Sequence, residues 1–201
     1  LGLLSVILVA TARFNASSVT QVQPKLPTSM LFQLRDSNGV AVFNAVIASN
    51  TSEWLVLPSD LDTGNGRTLS QSASALDATA ALRDLRKYSD LKLAATWRLD
   101  RLGLAAMLDR VGGIYVTPKQ DVTLTDATGS SLVLTKGVRT VIENGSLAAR
   151  YATDCPPADC VGRFQTVWRQ VLQSLDKAWL RETLSAIGSS SMSSLDQSAL
   201  V

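Results

Sequence analysis

The sequence offers few side chains for acid–base or metal chemistry. Its 201 residues include no histidine, the side chain most often used as a general base near neutral pH and as a metal ligand. Catalysis by this chain would therefore depend on carboxylates, on arginines or on a bound cation. The formal net charge is +2, with 19 basic and 17 acidic residues, and the pattern predicts neither a nucleic-acid groove nor a polybasic membrane patch.

The two cysteines are the second chemically distinctive feature. Cys155 and Cys160 lie in the segment CPPADC, which lacks the two-residue gap of redox and zinc motifs, and the chain has no further soft ligands for a metal. We expect a local disulfide bond that closes a loop stiffened by prolines and indicates an oxidising compartment. Two free thiols are the alternative, and they would suit a cytoplasmic regulator.

Any site on this chain has to be positioned by secondary structure, and the stretch from Trp97 to Val116 gives the clearest pattern. Alternating apolar residues over 93–99 predict a strand, and Asp100 can cap the helix that follows. Helical spacing buries one face of residues 102–111, namely Leu104, Met107, Leu108 and Val111. The glycine pair 112–113 then ends the helix and lets a second strand begin at once. Such short connections are typical of an α/β or α+β domain.

Similar patterns predict the other elements. Strands are expected at Met30–Leu34, Ala41–Ala48 and Glu53–Leu57, a helix over Ser72–Lys87, a hairpin over Thr123–Leu134, and helices at Gly145–Tyr151 and Arg163–Ile187. The first three strands should form a meander with an asparagine-glycine turn. Ser72 or Ser74 is expected to cap the first helix, and the four tryptophans are expected to pack in or around the core.

The two ends of the chain differ from its middle. Residues 1–14 start with an apolar, uncharged stretch shorter than the roughly 20 residues of a membrane span, and we interpret them as a truncated membrane anchor. A buried first strand is the alternative. Residues 15–28 have the composition of a polar linker, 29–187 that of a folded domain, and 188–201 that of a flexible serine-rich tail.

Four passages between residues 29 and 176 follow one another as in a known family. Met30–Asp60 ends in Pro58-Ser59-Asp60, Trp97–Val116 ends in VGGIYV, Gly145–Tyr151 reads GSLAARY, and Arg163–Leu175 is a helix with arginine and glutamine. Together they resemble the LytR-CpsA-Psr family. Its members have opening strands that end in Pro-Arg-Asp, an Asp-led helix before Val-Gly-Gly, a Gly-x-x-Ala-Leu-Ala-Tyr segment and an arginine-rich helix.

The resemblance implies a fold and a function. The fold is an α/β/α sandwich with a central mixed sheet, in membrane-anchored extracytoplasmic proteins of Gram-positive bacteria. Such proteins hold a glycopolymer linked to polyprenyl pyrophosphate and transfer it to peptidoglycan. Arginines hold the pyrophosphate, acidic residues hold Mg²⁺, and an apolar pocket takes the lipid. Residue by residue, the resemblance carries over Asp60, also as a metal ligand, and Arg163 as the catalytic residues.

Several family arginines are replaced in this chain. Ser59, Thr153 and Thr166 stand where the family has arginines, so much of the positive charge that a pyrophosphate requires is absent. Arg150 and Arg169 are close in sequence and could substitute as ligand-binding residues. We therefore expect weak or lost catalysis.

Simpler roles are also open for the retained residues and for the whole domain. Asp60 could be only a turn or cap residue, and Arg163 could be only an ion-pair partner of Asp159. The alternative function is a non-catalytic scaffold that binds a wall polymer or another envelope protein.

Overall fold

The computed structural model describes residues 29–48, 54–64, 66–74, 79–88, 93–174, 182–183 and 191–194. The expected anchor, 1–14, and linker, 15–28, lie outside these residues. The strands are β1 (Ser29–Arg35), β2 (Ala41–Ala48), β3 (Trp54–Val56), β4 (Ala95–Asp100), β5 (Ile114–Val116), β6 (Val122–Thr125), β7 (Ser131–Leu134), β8 (Thr140–Ile142) and β9 (Ser191–Ser193). The helices are α1 (Leu69–Ser72), α2 (Ala80–Tyr88), α3 (Arg101–Val111), α4 (Gly145–Thr153) and α5 (Pro157–Ser174). None of these helices combines the length and the apolar character that a membrane crossing requires.

Five of the strands form a mixed central sheet in the order β3-β2-β1-β4-β9. β2 is antiparallel to both β1 and β3, whereas β1 and β4 are parallel. β1, β3 and β4 therefore run in one direction and end at one edge of the sheet, which we call the carboxyl edge. The opposite edge, where β1 and β4 begin, is the amino edge. In sheets with parallel strands, ligands bind most often beyond the carboxyl ends of the strands.

Alternation along β1 divides the core into two layers. Phe32 faces α3, α4 and α5, where it packs with Phe164 and Trp168 of α5. Leu31 faces the opposite way and packs with residues of α1 and α2, including Leu82. Helices thus cover both faces of the central sheet, and the predicted α/β/α sandwich is confirmed.

The strand–helix–strand unit predicted between Trp97 and Val116 is confirmed. The Asp100 carboxylate accepts a hydrogen bond from the Gly103 amide at 2.8 Å and caps α3. Gly112 ends the helix with φ +79°, a left-handed conformation that costs glycine little. The second strand, β5, pairs with β8 in a separate two-stranded ribbon and does not join the central sheet. Its partner comes from residues 140–142, which sequence periodicity did not mark as a strand.

The predicted hairpin of β6 and β7 and the predicted turn between β1 and β2 are both present, and an aspartate stabilises each turn. The Asp36 carboxylate accepts hydrogen bonds from the amides of Asn38 and Val40 in the β1–β2 turn. The Asp126 carboxylate accepts equivalent bonds from Thr128 and Ser130 in the β6–β7 turn. Each turn therefore replaces missing backbone partners with a side-chain acceptor.

The single helix predicted from Ser72 to Lys87 is wrong at its start. The described residues form the short α1 before Ala73 and the longer α2 from Ala80, and residues 75–78 are not described. Thr68 caps α1 in a capping box with Gln71. The hydroxyl of Ser72 donates back to the Leu69 carbonyl, so this serine lies at the helix end rather than at its start.

α5 begins at Pro157, earlier than the predicted Arg163. Proline suits the first helical position because its φ is already helical and its missing N–H has no partner there. Asp159 adds a negative charge in the first turn, near the positive end of the helix dipole. Helical spacing also predicts an apolar inner stripe on this helix, and its members Phe164, Val167 and Val171 are buried.

One segment of the expected flexible tail is a strand. Residues 191–193 form β9, the edge strand of the central sheet, antiparallel to β4. The Trp97 indole N–H donates to the Ser191 hydroxyl at 2.8 Å, and the Thr96 amide donates to that of Ser194 at 2.8 Å. A polar strand without periodicity can thus pair with a sheet edge through its backbone and its hydroxyls. Residues 188–190 and 195–201 lie outside the described residues.

Candidate functional site

Asp60 lies at the carboxyl edge, in the loop between β3 and α1. Backbone hydrogen bonds fix this loop to α1: the Ser70 amide donates to the Ser59 carbonyl at 3.1 Å, and the Leu69 amide donates to the Leu61 carbonyl at 2.7 Å. The Leu61 amide also bonds back to the Pro58 carbonyl, so Asp60 is a turn residue. Its exposed carboxylate has no hydrogen bond or ion pair within the described chain. A fixed backbone with a solvent-facing carboxylate suits a ligand-binding role as well as a turn.

Arg35 reaches the same edge from the end of β1. Its Nη2 lies 3.8 Å from Asp100 Oδ2, and its Nε is buried without a hydrogen-bond partner among the described residues. Buried donors are normally satisfied, so this nitrogen is a candidate contact for an oxyanion.

Ser70 links the Asp60 loop to the end of β1. Its hydroxyl donates to the carbonyl of Ala41, the residue that pairs with Arg35 across the β1–β2 hairpin. Since its amide also holds Ser59, one buried serine connects the loop to the strand end. Asp60 and Arg35 therefore belong to the same side of the carboxyl edge, the side covered by α1.

A second charged group lies on the other side of this edge. Arg101 of α3 places Nη1 3.2 and 3.3 Å from the two carboxylate oxygens of Asp154. Arg150 of α4 donates to Oδ2 of the same carboxylate at 3.1 Å. The three side chains are 19%, 27% and 36% exposed, so solvent screens these pairs only in part. One carboxylate thus occupies the position between two guanidinium groups that a phosphate could take.

Arg163 is buried beside this group, at 9% exposure. Its guanidinium carbon lies 5.0 Å from the ring centre of Tyr151, and its Nη2 is 3.8 Å from Asp159 Oδ2. Burial raises the pKa of the Tyr151 hydroxyl, an effect that the nearby Arg163 charge opposes. The cation therefore rests on a neutral ring, and the ion pair with Asp159 that was the simpler role is present.

The Cys155–Cys160 disulfide bond is confirmed. The two Cα atoms are 5.3 Å apart, and the bond joins the end of α4 to the first turns of α5. It therefore fixes the short connection that positions Arg150 and Arg163 relative to each other.

Replacing both cysteines with serine should lower the free energy of unfolding by about 2 kcal/mol, because a closed short loop restricts the unfolded chain. Urea titrations of the two proteins measure the difference. Reductant should cause a similar loss in the wild type and none in the Cys155→Ser/Cys160→Ser variant. Identical midpoints for the two proteins would contradict this expectation.

The structure brings the four predicted site residues, three arginines and one aspartate, together only in part. Arg150 and Arg163 lie in one corner, formed by α4 and α5. Asp60 lies at the same edge but on the α1 side of the sheet, without a contact to Arg163. Arg169 is exposed on α5 and makes no ion pair or hydrogen bond within the described chain. Among the described residues, no group of three or more acidic or cysteine side chains could hold a metal ion.

Sequence reasoning missed three of the residues at this edge. The Arg150–Asp154 pair has the four-residue spacing of helical ion pairs and was detectable in the sequence. Arg101 forms an ion pair with Asp154, which is 53 residues away in the sequence. Arg35 forms an ion pair with Asp100 because the parallel strands β1 and β4 place the two residues side by side. No local pattern signals these two pairings.

Comparison with known proteins supports the fold. No protein-family model and no curated protein sequence matches the chain. Among solved structures, TagV of B. subtilis superposes with a TM-score of 0.65 at 15% identity, covering 88% of this chain and 78% of TagV. A LytR-Csp2A-Psr enzyme from Actinomyces oris gives a TM-score of 0.63 at 18% identity over 90% and 75%. A structure of TagT bound to LI-WTA gives 0.60 at 17% identity over 89% and 75%.

These similarities cover 88–90% of this chain and 75–78% of the three solved proteins, at identities that carry information about the fold alone. The resemblance found in the sequence is thereby confirmed at that level. The chain has the fold of LytR-CpsA-Psr-like proteins.

Proposed function

We propose that this domain acts in cell-envelope assembly by binding a glycopolymer linked to polyprenyl (pyro)phosphate at the carboxyl edge, with weak or lost transfer to peptidoglycan. The observation that carries the proposal is that four arginines lie along this edge, one on the α1 side and three on the other side, each paired with an acidic side chain. They are Arg35, Arg101, Arg150 and Arg163. The fold shared with an A. oris LytR-Csp2A-Psr enzyme and with TagT, solved bound to LI-WTA, supports the same class of ligand.

The ion pairs explain why catalysis is expected to be weak. Transfer from a pyrophosphate requires cations that neutralise the oxygens as the bond to the leaving phosphate breaks. Here Arg101 and Arg150 already neutralise Asp154, so a ligand phosphate must compete with a built-in carboxylate. Ser59 adds no charge beside Asp60. This competition should weaken the binding of the ligand less than it weakens the stabilisation of negative charge in the transition state.

Asp60 is the proposed ligand for Mg²⁺. Protein Mg²⁺ sites often use one or two carboxylates together with substrate phosphates and water, and a single exposed carboxylate fits that pattern. A bound Mg²⁺ would supply charge neutralisation for the phosphate oxygens. Asp60 would hold the cation, and the adjacent turn would fix the position of the carboxylate.

A non-catalytic binding module is the second candidate function. The specific observation in its favour is that Asp154 forms ion pairs with both neighbouring arginines, Arg101 and Arg150. Thr153 and Thr166, which stand where the family has arginines, add no positive charge. A transfer assay with labelled lipid-linked polymer and peptidoglycan separates the two functions. Labelled peptidoglycan indicates a transferase, and binding without transfer indicates the module.

We place the domain outside the cytoplasmic membrane, held by a single-pass N-terminal anchor. The disulfide bond supports an oxidising compartment, and the apolar start of the chain supports an anchor. Protease treatment of intact cells would degrade an extracytoplasmic domain and spare a cytoplasmic one.

A thermal shift titration with polyprenyl phosphate and pyrophosphate, with and without Mg²⁺, tests the proposed ligand. At a ligand concentration well above Kd, the Tm should rise by about 5 °C. The Arg163→Gln variant should lose most of this rise, whereas Arg139→Gln, in the exposed connection between β7 and β8, should keep it. An unchanged Tm for the wild type with every ligand would rule out the lipid-phosphate part of the proposal.

Removing the competing carboxylate should strengthen anion binding. The Asp154→Asn variant leaves Arg101 and Arg150 without a paired charge, so its affinity for inorganic pyrophosphate should rise by about tenfold. Loss of these partly exposed pairs should cost no more than about 1 kcal/mol of stability. Calorimetric titration measures the affinity, with Asp126→Asn as the control of equal charge change. Equal affinities for Asp154→Asn and the wild type would show that Asp154 does not occupy an anion position.

A further inference from the structure

A basic groove lies at the amino edge, away from the carboxyl-edge site. It is open to solvent, has a volume of about 660 Å³ and is lined by Thr79, Leu82, Arg83, Arg86, Lys87, Ala94 and Ser194. We call it the α2 groove. Three of the described lining residues are cationic and none is acidic. Cations at positions 83, 86 and 87 share one face of the helix, because residues three and four apart are neighbours on a helix surface.

Arg86 has a fixed position in this groove. Its Nε and Nη2 both donate to the Leu93 carbonyl, which joins the last turn of α2 to the segment leading into β4. A guanidinium has five N–H donors, and these two bonds use only two of them. A cation held in place in this way loses little conformational freedom when a ligand binds.

The size and lining of the groove indicate the class of ligand. A volume of about 660 Å³ lies within the range of small-molecule sites and is much larger than a bare phosphate ion. The cations suit an oxyanion, the hydroxyls of Thr79 and Ser194 suit polar groups, and Leu82 and Ala94 suit short apolar parts. Arg86 and Lys87 lie in the last turn of α2, where cations interact favourably with the helix dipole. Arg83 lies one turn earlier, so the dipole does not account for its position.

We propose that the α2 groove binds the phosphate group of an organic phosphate ester. The ester can belong to a soluble metabolite or to a phospholipid headgroup, and the shared chemistry is one oxyanion with a polar alcohol part. The headgroup source is within reach, because the Ala94 amide donates to the Ser29 carbonyl at 2.9 Å and residues 1–28 lead into Ser29. Binding of a phosphate ester here does not depend on the proposed function, since the groove residues lie at the other edge of the sheet; the headgroup source alone rests on the proposed anchor.

Binding to two probes tests the groove and identifies the source. Glycerol 3-phosphate is titrated by calorimetry, and vesicles of equal parts phosphatidylglycerol and phosphatidylcholine are tested by sedimentation. The Arg83→Gln/Lys87→Gln variant removes two lining charges and should weaken binding by at least about tenfold. The control Lys119→Gln/Lys136→Gln removes two exposed charges elsewhere and should bind like the wild type. Circular dichroism verifies folding, and the Lys87→Gln single variant replaces the double variant if that one unfolds.

The outcomes separate clearly. Binding of glycerol 3-phosphate that the groove variant loses supports a soluble ester, and binding of vesicles alone, lost by the same variant, supports a headgroup. Binding of neither probe by the wild type overturns the proposal. Equal weakening in the groove variant and the control also overturns it, because the attraction would then reflect net charge rather than a site.

Discussion

The Phe32→Ala variant should unfold about 4 kcal/mol more easily than the wild type, the largest loss that we expect for a single side chain. Phe32 is fully buried in the central strand β1. Its ring centre lies 5.1 Å from that of Trp97, 5.7 Å from Phe164, 5.8 Å from Trp54 and 6.0 Å from Trp168. Alanine would leave a cavity at the point where the sheet meets α5, and the surrounding large rings cannot collapse into it easily.

Urea titration measures the change, and Tyr115→Ala provides the matched control. Tyr115 is an aromatic side chain on β5 that is 53% exposed and contacts Arg139. Its replacement should cost at most about 1 kcal/mol. A loss at Phe32 no larger than that at Tyr115 would mean that the aromatic layer does not hold α5 against the sheet.

The Gly145→Ala variant should lose about 3 kcal/mol, because α4 crosses α3 too closely for a side chain at this position. A Cβ there would overlap the Ala105 carbonyl oxygen and the Asp109 carboxylate, at distances well under 3.0 Å. The Gly145 amide also donates to Asp109 Oδ1 at 2.7 Å. Backbone on one side and a bonded carboxylate on the other leave no easy relaxation.

Gly162→Ala is the control for this substitution. Gly162 is an exposed residue within α5, and a Cβ there would meet no atom within 4 Å. Alanine is the better helix former, so this variant should be as stable as the wild type or more stable. A similar loss in both variants would attribute the effect to the helices in general and not to the α3–α4 contact.

The fold was predictable where local chemistry determines it. The Asp100 cap, the glycine pair after α3 and the two short turns after β1 and β6 all act within a few residues, and each is present as expected; the aspartate that stabilises each turn is a finding of the structure. Pairing between distant segments was not predictable. β5 joins β8 rather than the central sheet, and β9 pairs with β4 through serines that have no periodic pattern. In both cases the available partner is fixed by tertiary structure.

The candidate site shows the same division. The resemblance identified Asp60 and Arg163, and helical spacing links Arg163 to Asp159 and Arg150 to Asp154. Only the three-dimensional structure reveals that Arg101 and Arg150 share Asp154. The start of α3, which carries Arg101, lies beside the end of α4, where Arg150 and Asp154 are found. The sequence predicted that several arginines of the family's site are missing, and the structure adds a second reason for weak catalysis. Some of the arginines that are present are already neutralised.

Photo-cross-linking locates a bound lipid phosphate on the protein. A polyprenyl phosphate with a diazirine close to the phosphate is bound, irradiated and mapped by peptide mass spectrometry, with unlabelled lipid phosphate as competitor. We expect labels at the carboxyl edge, within residues 57–61, 100–104 or 150–163, and we expect the unlabelled competitor to reduce them. Labels confined to the α2 groove, or labels that the competitor does not reduce, would contradict the proposed function.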